Sequence, residues 1–389
     1  MKKIAIAVAA AMTAATASAM DFTLYGIVDT GLGYTHVNTL DEPTENRFEE
    51  INGYNSGSRF GFKGTEDLGN GYSVSFVLEN GFSSDSGALG QGGRMFGREA
   101  QLKFHSPYGT LSFGRAGTLI SGAGTLDIWG VNADVLPGGW DGIFNIGNYQ
   151  GNGMRLDNMV TYQTPTAAGF TGYLQYSFAN DTTDGDDDSR PNERSNNRYF
   201  AGGLTYNNGP LGVVVIYDTL MFRHYSDSQV GDVGGNDANV GDSRVLSVGG
   251  HYDFDSFKLT AFGQYVKGSR SGFGDGLGYS VPFWSDDSQF RTFYYDADGY
   301  NLHIGAQIPM DSWGRLYLGA YYGYLEANDD YRNSEAKNIN LLVGHEYDFS
   351  KRTTLYSGVA YKQLKNENDD GKLGDMKATQ VIVGLRHIF

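Results

Sequence analysis

The stretch Ala378-Thr379-Gln380-Val381-Ile382-Val383-Gly384-Leu385-Arg386-His387-Ile388-Phe389 decides the fold. Val381, Val383, Leu385 and Phe389 fall on one side of a two-residue repeat; Gln380, Ile382, Gly384, Arg386 and Ile388 fall on the other. Successive side chains of a strand point to opposite faces, so the stretch reads as a strand. Its last residue is aromatic with no polar tail behind it, which predicts a C-terminus pinned in a sheet. His387 shares the parity of the apolar residues, and the pattern gives no reason for it.

The other end of the chain says which solvent that sheet meets. Met1-Lys2-Lys3 precedes an alanine-rich apolar run over residues 4–17 and the small-x-small triplet Ala17-Ser18-Ala19. This predicts a secretory signal over 1–19 and a mature protein beginning at Met20. The run is too short for the ~20 residues of a spanning helix, and no later segment supplies ~18 consecutive apolar residues. Two classes remain: a secreted soluble β-protein for binding or adhesion, or an outer-membrane barrel, whose strands are only half apolar.

Composition leans toward the barrel. There are 27 Tyr and 23 Phe, residues that suit strands and the headgroup level of a bilayer, against only 8 Pro. Cysteine is absent, so an exported chain of this size needs another closure, which a ring of hydrogen-bonded strands supplies. A formal net charge of −16 argues against nucleic acid as a partner.

From Asp21 onward, runs with a two-residue period alternate with linkers, and the linkers themselves alternate short and long. The opening strand at 21 is followed by a polar stretch over 36–56. Paired strands are then predicted at 59–64 and 71–80, 97–105 and 109–115, 154–164 and 169–179, 197–207 and 210–219, 243–254 and 257–267, 299–309 and 313–326, and 338–349 and 352–364, before the last strand at 378–389. A tight turn is predicted over 65–70. The total is about sixteen strands, and an even count with short turns at one rim and long loops at the other describes an antiparallel transmembrane β-barrel filling residues 20–389.

Several blocks carry a resemblance. Asp21-Phe22-Thr23-Leu24-Tyr25-Gly26, Ser58-Arg59-Phe60-Gly61-Phe62-Lys63-Gly64-Thr65-Glu66-Asp67-Leu68-Gly69-Asn70-Gly71, Tyr108-Gly109-Thr110-Leu111-Ser112-Phe113-Gly114-Arg115, Arg155-Leu156-Asp157-Asn158-Met159-Val160-Thr161-Tyr162 and Val383-Gly384-Leu385-Arg386-His387-Ile388-Phe389 resemble Gram-negative general porins of the neisserial and burkholderial type. The resemblance spans the mature chain, and the second block is its most specific piece. It implies a homotrimer of sixteen-stranded barrels in the outer membrane of a Gram-negative bacterium, with both termini periplasmic, surrounded by outer-membrane lipids and lipopolysaccharide. It also implies an inward-folded third loop, here the linker at about 116–153, that narrows a water-filled pore. Ions and small hydrophilic solutes would cross passively; a substrate-specific channel is the alternative.

Such a pore makes and breaks no bonds; width and fixed charge set its selectivity. The resemblance sets a basic ladder on the wall against acids on the third loop. Arg59, Arg98 and Arg155 match ladder positions, and Lys63 shares the face of Arg59. Arg155 alternates with Leu156, Val160 and Tyr162. Arg98 has the parity of Ala100, Leu102 and Phe104, so either a bulge turns it inward or the polar face meets a subunit interface; Arg94 stands nearby as a substitute. Arg115, in step with Leu111 and Phe113, could face a neighbouring subunit. Asp127, Asp134 and Asp141 are the loop acids available to oppose the ladder, or to tie the loop to the wall. Trp129 and Trp140 read as packing anchors.

Enzymatic chemistry finds no footing, because no nucleophile–base pair or zinc-binding helix motif is visible. No cofactor or metal is called for. The acidic run at 181–188 lacks the spacing and closing glutamate of a calcium loop and reads as a solvated outer loop. The glycine-rich run at 272–276 is not at a strand-to-helix turn and reads as loop. A closed barrel predicts heat-modifiable mobility: unheated protein in detergent gels is expected to migrate apart from boiled protein, whereas a chain soluble without detergent would select the secreted β-protein instead.

Overall fold

The structure is a computed structural model that describes residues 21–40, 43–121, 124–136, 140–145, 155–179, 197–221, 242–269, 297–327, 334–368 and 371–389. The predicted signal, the acidic run at 181–188, the run at 272–276 and parts of the 116–153 linker lie outside the described residues.

The strands are β1 (Asp21–Thr39), β2 (Glu45–Asn52), β3 (Arg59–Gly69), β4 (Tyr72–Gly81), β5 (Glu99–Ser106) and β6 (Gly109–Gly117). They continue as β7 (Arg155–Gln163), β8 (Phe170–Ser177), β9 (Arg198–Asn208), β10 (Leu211–Met221), β11 (Ser243–Asp253) and β12 (Lys258–Ser269). The last are β13 (Ala297–Pro309), β14 (Arg315–Ala327), β15 (Glu335–Asp348), β16 (Thr353–Asn368) and β17 (Gly371–Ile388). All pairings are antiparallel, and β1 pairs with β17, running from Ile27↔Ile388 to Thr39↔Met376, so the sheet closes. Reciprocal bonds between the backbones of Gly26 and Phe389 extend that seam.

Seventeen strands occupy sixteen positions in the wall. The upper half of β1 pairs with β2 and its lower half with β3, so β2 and β3 are two pieces of one position, broken at residues 53–58. The barrel is therefore sixteen-stranded, as the sequence pattern predicts. The polar stretch at 36–56 is mostly strand, and the last strand starts at Gly371 instead of 378. The turn predicted over 65–70 is also shorter. Gly69 pairs with Tyr72, leaving Asn70 and Gly71 at φ 54° and 81° as the loop. Both φ values are positive, the geometry of a two-residue turn that matches strand twist and favours Asn-Gly.

The wall is inverted relative to a soluble protein. Leu24, Leu102, Leu174, Leu302, Ile304 and Leu341 are exposed on its outer face. The alternate positions are polar and buried, and some join into chains: Tyr321 Oη donates to Asn301 (2.7 Å), Asn301 to Gln264 (3.2 Å) and Gln264 to Ser247 (3.0 Å). In hydrocarbon every backbone polar group must find a partner within the protein, which the closed ladder provides.

The described residues of the segment 119–144 pack on those alternate positions along the arc from β9 to β17. They include the short helix α1 (Ile128–Ala133) and a 3-10 turn (Gly142–Phe144), and Leu119, Ile128, Trp129, Val135, Trp140 and Phe144 are buried. Trp129 lies 5.1 Å from the ring of Phe262, and Trp140 lies 5.5 Å from Tyr356 and 6.2 Å from Tyr317, centroid to centroid. Between these aromatics the wall offers bare backbone. A Cβ placed on Gly203, Gly249, Gly305 or Gly358 would stand 2.6–2.9 Å from Leu119, Ala133, Val135 or Phe144 respectively. The glycines form a trough, and the apolar side of the segment rests in it.

Filling the trough should strain the fold, since overpacking a tight contact costs roughly 1–3 kcal/mol. Gly358→Ala is expected to lower the urea midpoint of the detergent-solubilised protein. Combined with Phe144→Leu, it should cost less than the sum of the two single changes; strict additivity would mean that the two residues do not meet.

Candidate functional site

With the segment lying along β9–β17, the arc from β3 to β7 carries the densest group of charges. Arg98 is buried and its Nε donates to Glu79 Oε1 at 2.7 Å. Arg59 Nε donates to the Gly57 carbonyl at 2.8 Å, and its NH1 stands 4.0 Å from the same Glu79 oxygen. Glu79 is completed by Tyr25 Oη at 2.9 Å. Arg155 stands close enough to Arg98, Arg59 and Arg115 to feel their charge, yet its Nε is buried and meets no acceptor among the described residues. Beside this group, Arg94 and Arg115 converge on Asp157, at 2.7 and 2.6 Å. Among the described residues five guanidinium groups thus gather round Glu79 and Asp157, and bringing like charges together in a partly dry wall is costly unless anions or water share the space.

Local backbone irregularities aim these side chains. Glu79 pairs in register with Glu99, but its carbonyl accepts the N–H of Arg98, so two residues of one strand face one of the other. That bulge-like step turns Arg98 against its parity and toward Glu79. Gly57 and Gly81 leave room for it, since a Cβ at either would stand 3.0–3.1 Å from the arginine. A second irregularity lies on β7, where the register shifts between Gly114 and Ala116 and Asn158 adopts φ 49°. The simple alternation of Arg155 with Val160 and Tyr162 therefore fails: Leu156 is buried in the core with Leu119 and Tyr199 instead of facing outward. Arg115 binds Asp157 and the Gly97 carbonyl within its own chain. Lys63 lies lower on β3, exposed, with Nζ 5.2 Å from the centre of the Tyr25 ring.

The loop acids lie apart from the arginines. Asp127 accepts the Gly130 N–H at 2.7 Å and caps α1, Asp134 accepts Leu136 N–H at 3.0 Å, and Asp141 accepts Gly142 N–H at 2.8 Å. None of the three forms an ion pair among the described residues. The acids that do meet the arginines, Glu79 and Asp157, are on the wall. The Asn70-Gly71 turn held the clue for Glu79, because it sets Glu79 opposite Gly61, diagonal to Arg59. Glu99, also on the wall, is fully buried and accepts from Thr125, Gln101 and Lys103, tying the start of the segment to β5.

A ring of sixteen strand positions, greasy outside and polar within, with a charge cluster on one inner arc, defines a channel-forming barrel of the outer membrane. The profile of the Gram-negative porin family matches residues 5–369. An outer membrane porin protein of Bordetella pertussis is 35% identical and outer membrane porin protein 32 of Delftia acidovorans is 30% identical, each over 100% of both chains. Among solved structures, an anion-selective porin from Comamonas acidovorans superposes with a TM-score of 0.66 at 25% identity, covering 95% of this chain and 100% of that one. The chain belongs to the Gram-negative porins and is an outer-membrane channel protein.

The segment should respond to pH. Burial, reinforced by the nearby charge of Asp127, pushes the Asp134 carboxyl up to about 7 against the pull of the Leu136 N–H. A carboxyl whose pKa is raised on folding binds more protons folded than unfolded, so its contribution to stability falls as pH rises from about 4 to about 7. Asp134→Asn is expected to flatten the pH dependence of the thermal midpoint across that window and to raise the midpoint at pH 8. An unchanged slope would place Asp134 in water.

Proposed function

We propose that the protein is a passive-diffusion channel for small hydrophilic solutes, narrowed where residues 119–144 approach the β3–β7 arc, and that it favours anions. The observation that carries this reading is the cluster of Arg59, Arg98 and Arg155 around the carboxylate of Glu79, with the Nε of Arg155 meeting no acceptor among the described residues. In a low-dielectric wall such an excess of fixed positive charge focuses its field on a passing ion. The loop acids are occupied by backbone N–H groups, so the reading sets the arginines against wall acids. The anion-selective relative from Comamonas acidovorans supports the same sign.

The same reading makes residues 1–19 a cleaved signal, places the short-turn rim and both termini in the periplasm, and assembles three copies side by side. An outer membrane protein of Vibrio cholerae with this fold was solved in a trimer form. Outer-membrane lipids, including lipopolysaccharide, would cover whatever part of the apolar exterior the copies leave free.

Reversal potential across a planar bilayer under a KCl gradient tests the sign of selectivity. A unit charge about 7 Å from the ion path is worth roughly 1–2 kcal/mol at intermediate dielectric. Arg155→Ser is accordingly expected to cut the anion-to-cation permeability ratio several-fold and to raise conductance. An unmoved reversal potential would remove Arg155 from the ion path, and a cation-selective wild type would overturn the anionic reading.

A further inference from the structure

The break between β2 and β3 enters the barrel beside the far end of the 119–144 segment. Asp29 of β1 holds this bend at several points. Its backbone carbonyl accepts the Gly53 N–H at 3.1 Å, and its backbone N–H donates to Ser58 Oγ at 3.1 Å. Its two carboxylate oxygens accept the Ser56 N–H and the Tyr356 hydroxyl, both at 2.7 Å. Asn55 reaches across to β15 and β17, donating to Glu346 at 2.7 Å and accepting from Arg386 at 2.7 Å. Asp29, Asn55 and Glu346 are all essentially buried.

Tyr54, held between these anchors, grips the segment. Its carbonyl accepts the Asp141 N–H at 2.8 Å. Its hydroxyl accepts from Gln380 at 3.0 Å, and Gln380 Oε1 in turn accepts the Ile143 N–H at 3.4 Å. Gly142, at φ 64°, lies so close that a Cβ there would stand 2.8 Å from the Tyr54 ring. Asn340 donates to the Ile143 carbonyl at 3.0 Å. Tyr356 serves both sides, since it donates to Asp29 and its ring packs on Trp140.

We propose that Tyr54, Asn55 and Ser56 form a clamp that fixes the 140–144 end of the segment, with Asp29 as its positioning residue, and so sets the width of the channel. This rests on the reading of residues 119–144 as the constriction. The geometry argues for a clamp over a passive turn because the bend spends its hydrogen bonds on the segment and on three distant strands. A segment resting in a glycine trough through apolar contact alone can slide; directional bonds to a bend that is itself tied to buried carboxylates prevent that.

The test is single-channel recording and liposome swelling with sugars of graded size, on variants that keep heat-modifiable mobility. Asn55→Ala removes the links to Glu346 and Arg386. Asp29→Ala removes both carboxylate acceptors, and Tyr356→Phe removes one bond to Asp29 should Asp29→Ala fail to fold. Each is expected to raise open-channel current noise by about twofold or more as the segment end loosens, and to admit larger sugars. Reversal potential should move little in Asn55→Ala and Tyr356→Phe, because neither removes a charge or touches the cluster of Arg59, Arg98 and Arg155. Trp140→Ala, which removes the segment's own anchor, is the reference. If it widens the channel while the clamp variants leave noise and size limit unchanged, the clamp is refuted and the constriction stands. If none of the four changes either readout, the constriction reading falls and the clamp with it.

Discussion

Everything in this molecule depends on the demand that no backbone N–H or C=O face hydrocarbon unpaired. A sheet meets that demand by closing on itself, and the seam between β1 and β17 is where closure happens. Closure then fixes the rest. Alternate residues must divide into a lipid side and a lumen side, the lumen must be filled or wet, and whatever fills it must be held without a conventional core. The porin solves this by packing one connecting segment on its own wall, where Trp129, Trp140 and Phe144 make a local core against Phe262, Tyr317 and Tyr356.

That arrangement divides the interior by chemistry. One arc is aromatic side chain and bare glycine and receives the segment; the other is arginine and carboxylate and is left to solvent and solute. The polar anchors sit at the boundaries: Glu99 secures Thr125 near the start of the segment, and Gln380 with Tyr54 secures its end. Charged groups that would repel one another in a filled core can coexist on a wetted arc, so the same layout that stabilises the barrel leaves it permeable.

The fold was legible wherever one face of a strand meets lipid, because only there does the two-residue period appear. It was not legible in β2, where Phe48 and Glu50 share one face and Arg47 and Glu49 the other: both faces are wet, and no alternation is imposed. The start of β17 was hidden because Asp375 and Lys377 flank Met376, a core residue, and interrupt any apolar run. For the site, the porin resemblance singled out Arg59, Arg98 and Arg155; parity alone could not place Arg98 or the surroundings of Arg155, since a step at Glu79 and another near Asn158 reset it. The loop acids Asp127, Asp134 and Asp141 looked free to oppose arginines, but each satisfies a backbone N–H within three residues. Sequence distance conceals such short-range competition for a carboxylate.

The glycine trough has a consequence for how this kind of pore can change. The height at which the segment rides on its own side of the wall is set by the smallest side chains of β9, β11, β13 and β16, while the charges of the proposed selectivity site stand on β3 to β7. Aperture and electric field are therefore written on different strands. Either can be altered by substitutions that leave the other untouched, so size exclusion and ionic preference can drift independently in descendants of one barrel.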